Sequence, residues 1–426
     1  MGRGSGPSLS GVGPSAVRRA VTFGRGFPAV FILAIGTIRY LLGLLHELLR
    51  LYGLLYNDKL KKDKKSLYEQ KLQIISHSLY GVDIDRFATN IAMLRLWLSL
   101  AIEADDPIAL PHLEFKIETG DAVLGPDPQA MPGLQDHFLI EKADKLIELK
   151  DRYLRSQGRE AAALFAQIEA EQSELAFKLR GLRGEGVIDW RIQFAEVFVK
   201  NHGFDVVLAN PPYVRQELIK DVKPELKRAF PEDYSGTADL YVYFYLRALQ
   251  LLAPGGMLAF ISSNKWFRAK YGLGLRRRFA KSAAARVILD FHDLPVFETA
   301  VAYPMVFIAS KSKPDPKHPA VLVEPTSLNA PYPDIRRVVE RWGKTLSRSA
   351  LAESGEWYLA GAGNSDILAA IRRAEVPLGE FVKGRIFYGI KTGFNDAFVV
   401  DRATRDQLID EHRPSRDILQ PFVRGR

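Results

Sequence analysis

The 426-residue chain contains no cysteine. That absence excludes a disulfide framework, a thiolate nucleophile and a cysteine-based zinc site. Chemistry must fall to oxygen and nitrogen groups or to a bound cofactor, and an intracellular, cytoplasmic protein is the simpler reading. A long uninterrupted apolar run is also missing. Arg18 and Arg19 precede an apolar stretch from Phe27 to Ile38 that superficially resembles a signal sequence. Arg39 and Tyr40 break it, and LLGLLHELLRLYGLL then interposes His46, Glu47 and Arg50, so no membrane span is expected. Acid is in deficit. Asp and Glu total 50 against 59 Lys and Arg, and the formal charge of +9 suits a phosphate-bearing partner without requiring one. No acid-rich cleavage motif can be assigned to a nuclease, and no metal-ligand set is assigned.

What is present has an alternating rhythm. The first twenty or so residues, rich in Gly, Ser and Arg, have the composition of an unstructured segment. From Leu41 to about Leu79 the spacing is helical, with the basic run KLKKDKK at 59 to 65 as a solvated face or a phosphate contact. LYGVDIDRFATNIAMLRLWLSLA then reads as a strand at Leu79 to Val82 running into an amphipathic helix, and FKIETGDAVLG at 115 to 125 as the next strand. These are successive β-α-β units of an α/β, doubly wound, Rossmann-like sheet. Residues 137 to 183 carry a charged helical pattern without strand signals, an inserted hairpin that helical packing alone explains. The sheet resumes with FDVVLA, passes through the helix DLYVYFYLRALQLLA and the turn PGG into MLAFISS, and adds ARVILDFH and AYPMVFIAS. Past residue 330 the rhythm stops, which places a domain boundary between 325 and 345.

Strand FDVVLA ends in Asn210-Pro211-Pro212-Tyr213. Parallel sheets bind ligands beyond the carboxyl ends of such strands. The two prolines fix φ and remove donors, leaving a stiff turn that presents acceptors. The Asn210 side-chain oxygen and the Pro211 carbonyl could accept both hydrogens of one planar NH2 group, localising its lone pair for attack on an electrophilic methyl. Tyr213 offers a flat face for stacking. The tetrapeptide by itself is equally compatible with a rigid turn closing a strand.

The ordered set Asp83, Asp121, Asn210-Pro-Pro-Tyr213 and PGGMLAFISSNKW resembles the amino-methyltransferases that use S-adenosylmethionine. YGVDIDRFATNIAMLRLWLSL, TGDAVLG, FDVVLANPPYVRQ and TADLYVYFYLRALQLLAPGGMLAFISSNKWF are similar to type IIG restriction-modification methylases, DNA adenine-N6 methyltransferases with cofactor motifs first, catalysis second and specificity last. The resemblance covers roughly residues 40 to 426. It implies that Asp83 binds the cofactor's ribose hydroxyls, that Asp121 meets its adenine amine, and that Gly36 and Asn210 border the same pocket. It implies too that Asn210, Pro211, Pro212 and Tyr213 form the catalytic turn, and that the partner is double-stranded DNA with a flipped adenine stacked on Tyr213 and Phe297. From the residues alone, Asp85 reads better as a helix N-cap than as a ligand, Asp121 also as a turn aspartate, and Phe297 also as a core side chain.

One departure stands out. Where the family has an Asp-Pro-Ala-Cys-Gly-Ser-Gly-like loop, Ile32 and Leu33 replace Asp-Pro, and Ile38 and Arg39 take the second glycine and its neighbour; Ala34 and Gly36 persist. A frame error or wrong start upstream of about residue 40, or true degeneration, accounts for this. Bulk at Ile38 and charge at Arg39 beside a sulfonium predict weak cofactor binding and little turnover by the chain as it stands. GRIFYGIKTGFNDAFVVD at 384 to 401 resembles the opening of the family's specificity domain, within which Lys391 and Arg424 are phosphate contacts or solvated surface. The expected organisation is an aberrant or disordered segment 1–40, a methyltransferase domain 41–330, and a linker with the beginning of a target-recognition domain at 331–426. A nuclease region lies upstream in relatives. The alternatives are a catalytically inactive DNA-binding remnant and a protein-glutamine methyltransferase, whose carboxamide substrate presents a similar NH2 group.

Overall fold

In the computed structural model, residues 30–33, 39–55, 64–104, 109–130, 137–179, 186–297, 303–315, 317–329, 334–346 and 399–421 are described, with 351, 355–357, 359, 370, 376, 378–383 and 385 between the last two stretches. A short apolar strand, β1 (Val30–Leu33), takes the middle of the parallel half of a nine-stranded sheet. It pairs in parallel with β2 (Leu79–Asp83) on one side and β4 (Phe204–Ala209) on the other. With β3 (Ile117–Thr119), β5 (Leu252–Ser263), β6 (Ala284–Asp290), β7 (Pro304–Ser310), β8 (Val321–Val323) and β9 (Lys344–Thr345), the order is β3-β2-β1-β4-β5-β7-β6-β8-β9. The five strands from β3 to β5 run parallel, while β7 lies antiparallel between β5 and β6. The doubly wound α/β architecture read from the sequence is therefore present.

FDVVLA is continuously apolar at its centre because β4 is covered on both faces. Val206 and Leu208 pack toward α1 (Arg39–Leu55), α2 (Lys64–Ser78) and α3 (Arg86–Ala101), whose Leu45, Ile75 and Leu96 are buried. Val207 and Ala209 face the opposite layer, built on Tyr241, Tyr245 and Ala248 of the later helix Leu240–Leu251. Three segments differ from the sequence reading. Within 1–40, expected to be aberrant or disordered, Val30–Leu33 is the central strand β1. Regular β3 covers only Ile117–Thr119, shorter than 115 to 125. The PGG turn lies inside β5: pairing with β4 jumps from Phe204↔Leu252 to Val206↔Met257, so Pro254 to Gly256 bulge from the ladder, with Gly255 at φ 81°.

The inserted hairpin is α4 (His137–Arg155) and α5 (Gly158–Leu179), joined through Leu139, Leu146, Leu164 and Ile168. It docks on α6 (Ala195–Asn201) through more than apolar contact. Lys150, buried, donates to both carboxylate oxygens of buried Glu196, at 3.0 and 2.9 Å, and to the Gln193 carbonyl at 2.7 Å. Nearby, burial pushes the Glu118 carboxyl up to about 7, against the pull of Lys150. The folded state thus holds that proton more tightly than the unfolded chain does. Glu118 favours folding most below the ordinary carboxylate pKa, and its contribution is lost as pH rises toward about 7. Glu118→Gln is expected to raise the thermal midpoint at pH 8 and to change it little at pH 5; equal shifts at both pH values in a thermal melt would contradict this.

The chain divides into two units, Met1–Ser365 and Asp366–Arg426. Within the first, α7 (Lys223–Ala229), α8 (Leu240–Leu251) and α9 (Leu273–Ser282) follow β4 and β5. Across the 325–345 interval, α10 (Ile335–Trp342) starts at Asp334, whose side chain accepts from the Arg337 N–H, and buries Val338 and Val339 with Val287, Leu289 and Val323 of the sheet. In the second unit, α11 (Arg402–Glu411) starts at Asp401, which accepts from the Thr404 N–H at 2.7 Å. Among the described residues, no helix is long and apolar enough to cross a membrane.

Candidate active site

The register of the sheet assembles the site. Leu33, Val82 and Ala209 lie side by side across β1, β2 and β4, so Asp83 and Asn210 arrive at the same rim, with Gly120 and Asp121 just beyond β3. Asp83, Asp121, Asn210, Pro211 and Tyr213 all line one cavity of about 590 Å³, together with the apolar Ile219, Leu226 and Phe244.

Each group has a local cause. Asp83 is buried, and its Oδ1 accepts from the Asp85 N–H at 2.9 Å. Asp85 in turn caps α3, its Oδ1 accepting from Phe87 N–H at 2.8 Å, as its spacing indicated. Asp121 is both a turn aspartate and a cavity residue: its Oδ1 accepts from Val123 N–H at 2.7 Å and Leu124 N–H at 2.8 Å. The chain after it packs so closely that a Cβ on Gly125 would lie 2.0 Å from the Ile188 carbonyl oxygen, which restricts that position to glycine.

Asn210 supplies the most informative atom. Its Oδ1 is buried and has no hydrogen-bond partner among the described residues. A buried amide oxygen left unpaired costs about 1 to 3 kcal/mol, so it calls for a donor that the protein does not itself provide. Tyr213 stands beside it, 37% exposed, and meets Phe297 edge to face with ring centroids 6.4 Å apart. The two aromatic residues singled out in the sequence are thus brought together.

Arg247 is the residue that the sequence reading missed. It sits fully buried in α8 and donates to the carbonyls of Val123 at 2.6 and 3.1 Å, of Pro126 at 2.9 Å, and of Gly125. Burial lowers its pKa to about 10, which leaves it charged at neutral pH. Its only signal was a single cation within the apolar run LYVYFYLRALQLL. Gly36, the rest of 34–38, the run at 56–63, Lys391 and Arg424 lie outside the described residues; Ile32 and Leu33 close β1, and Arg39 opens α1.

A model of the Eco57I restriction-modification methylase family matches residues 77–297, from just before β2 to Phe297. The chain belongs to that family. Among curated relatives of this Eco57I-family chain, the type II methyltransferase M.XhoI of Xanthomonas vasicola is 32% identical over 214 residues, covering 48% of this chain and 39% of the relative. The type II methyltransferase M.PaeR7I of Pseudomonas aeruginosa is 30% identical over 240 residues, covering 52% and 40%. The chain therefore spans about two-fifths of the length of these relatives. The solved ATP-dependent Type ISP restriction-modification enzyme LlaBIII bound to DNA matches with a TM-score of 0.43 and 11% identity, over 80% of this chain and 21% of that one.

Proposed function

We propose that the chain carries the site for methyl transfer from S-adenosylmethionine to the exocyclic amine of adenine in DNA, within a restriction-modification system. In this reading, residues 41–330, with the central strand β1 before them and α10 and β9 after them on the same sheet, form the methyltransferase domain, and the rest of 331–426 begins the target-recognition domain. The observation that carries it is the unpaired, buried Oδ1 of Asn210 on a cavity that is also lined by Asp83, Asp121 and Asp221.

The residues present fit the adenosyl part of the cofactor. A cavity of about 590 Å³ is of the size that small-molecule sites take. Asp83 would accept from the ribose diol and Asp121 from the adenine amine. The cofactor, when bound, supplies an electrophilic methyl. The protein does the rest by position: Asn210 and the Pro211 carbonyl accept the target amine's two hydrogens, and Pro212 stiffens the turn that holds them. Tyr213 and Phe297 clasp the flipped base. The family match and the paired rings favour a base over a protein carboxamide.

Incubation with labelled S-adenosylmethionine and mixed-sequence duplex DNA tests this, both in the chain as it stands and in an Ile32→Asp/Ile38→Gly variant that restores family residues. Label in N6-methyladenine, little in the chain as it stands and more in the variant, is the expected result; label in methylcytosine or in protein glutamine would overturn the assignment of substrate. The altered residues at 32 to 39 favour a second reading, a DNA-binding remnant. Calorimetry decides it, since DNA binding without cofactor binding in the unmodified chain establishes the remnant. For Tyr213, Phe should retain most transfer and Ala should lose about tenfold or more, because stacking contributes roughly 1 to 3 kcal/mol per base. A Phe variant as impaired as Ala would assign the role to the hydroxyl.

A further inference from the structure

The segment joining β5 to α9, NKWFRAKYG, is wound into two tight 3-10 turns, Asn264–Phe267 and Lys270–Gly272. Its aromatic residues point inward: Trp266 and Phe267 are buried with Phe307 and Trp357. Arg276 fastens the backbone, donating to the Trp266 and Ala269 carbonyls at 2.5 and 2.9 Å. A Cβ at Gly272 would fall 2.0 Å from the Trp266 carbonyl oxygen, so the segment closes tightly on itself.

This frame leaves three cations outside. Lys265, Arg268 and Lys270 are all exposed, and among the described residues none forms an ion pair. Of the following arginines, Arg276 is committed to carbonyls and Arg278 to Asp233 and Glu232. Both ends of the turn are tied to the base-binding side of the cavity. At one end the Asn264 N–H donates to the Tyr303 carbonyl at 3.2 Å, and its side chain donates to buried Asp290 at 2.8 Å, at the root of the segment that carries Phe297. At the other, the Tyr271 hydroxyl meets that of Tyr241 at 3.0 Å, in the first turn of α8. There the Leu240 N–H donates to the Val214 carbonyl and Asp239 accepts from the Gln216 N–H, each at 3.0 Å, directly after Tyr213.

We propose that Lys265, Arg268 and Lys270 form a phosphate clamp for the DNA strand that carries the target base, beside the Tyr213–Phe297 pocket. The proposal rests on the DNA reading above and adds the surface that engages the backbone. Turning a nucleotide out of its stack requires its flanking phosphates to be held, and cations mounted on an immobile turn do so with their register fixed.

Duplex-DNA binding is measured between about 50 and 200 mM salt for the chain and its K265Q/R268Q/K270Q variant. The variant should show a log–log salt slope shallower by about 2 to 3, near 0.9 per lost phosphate contact, with an unchanged thermal midpoint. A K265Q single variant should show about a third of that change. The R152Q/R155Q/R159Q variant removes the same charge from the exposed hairpin and should keep the original slope. An unaltered slope in the first variant, or equal losses in both triple variants, overturns the clamp while leaving DNA binding standing. Absence of any duplex binding by the unmodified chain overturns the DNA reading itself.

Discussion

Replacing Asn210 with alanine should lower methyl transfer at least about a hundredfold while leaving the affinity for S-adenosylmethionine unchanged, measured in the Ile32→Asp/Ile38→Gly background. One preorganised acceptor at a reacting centre is commonly worth that factor. The separation of the two effects follows from geometry: the two carboxylates proposed to hold the adenosyl part, Asp83 and Asp121, lie at the ends of other strands, and the Asn210 oxygen has no hydrogen-bond partner among the described residues. Asn210→Ala also removes an unsatisfied buried oxygen, so the folded protein should be no less stable. Activity within a few-fold of the parent would remove the amine clamp from the mechanism. Loss of cofactor affinity would assign Asn210 to the adenosyl pocket instead.

The second large effect is expected at Arg247. Arg247→Met keeps an unbranched side chain but withdraws every donor from the carbonyls of Val123, Gly125 and Pro126. Stranding buried acceptors costs roughly 1 to 3 kcal/mol each, and breaking a buried charged network about 3 to 5 kcal/mol. A fall of roughly 5 °C in the thermal midpoint is expected. Because the same stretch begins at Asp121, cofactor affinity should fall with it, more than global stability alone requires. Arg247→Lys keeps the charge without the fork of donors and should lie between the two. Calorimetric titration below the melting range separates the effects; unchanged affinity in a destabilised Arg247→Met protein would confine Arg247 to the core.

Local patterns carried much of the architecture. The apolar runs of β2, β4, β6 and β7, the Asp85 cap and the helical spacing of the inserted hairpin are properties of neighbouring residues, and they appear where the spacing put them. Asn210 and Tyr213 were legible for the same reason: a strand ending in two prolines places its last polar groups at the rim. What escaped depends on distant partners. Arg247 bonds residues more than a hundred positions away, and nothing in its helix specifies them. The Lys150–Glu196 ion pair joins the inserted hairpin to a helix beyond it, and no local pattern pairs the two. β1 was hidden inside a longer apolar stretch, since four residues are too few for periodicity to separate strand from helix.

The position of β1 also orders events in time. Leu33 is translated well before Ala209, one of its two neighbours, which leaves the ribosome only after the entire hairpin has been made. At ordinary elongation rates the delay is on the order of ten to forty seconds. Through that interval the nascent half-sheet of β1, β2 and β3 has a complete set of unpaired backbone groups along its β1 edge, a template for any passing strand. The hairpin, whose helices can form from their own local contacts, is the first later element able to consolidate while that edge waits for β4.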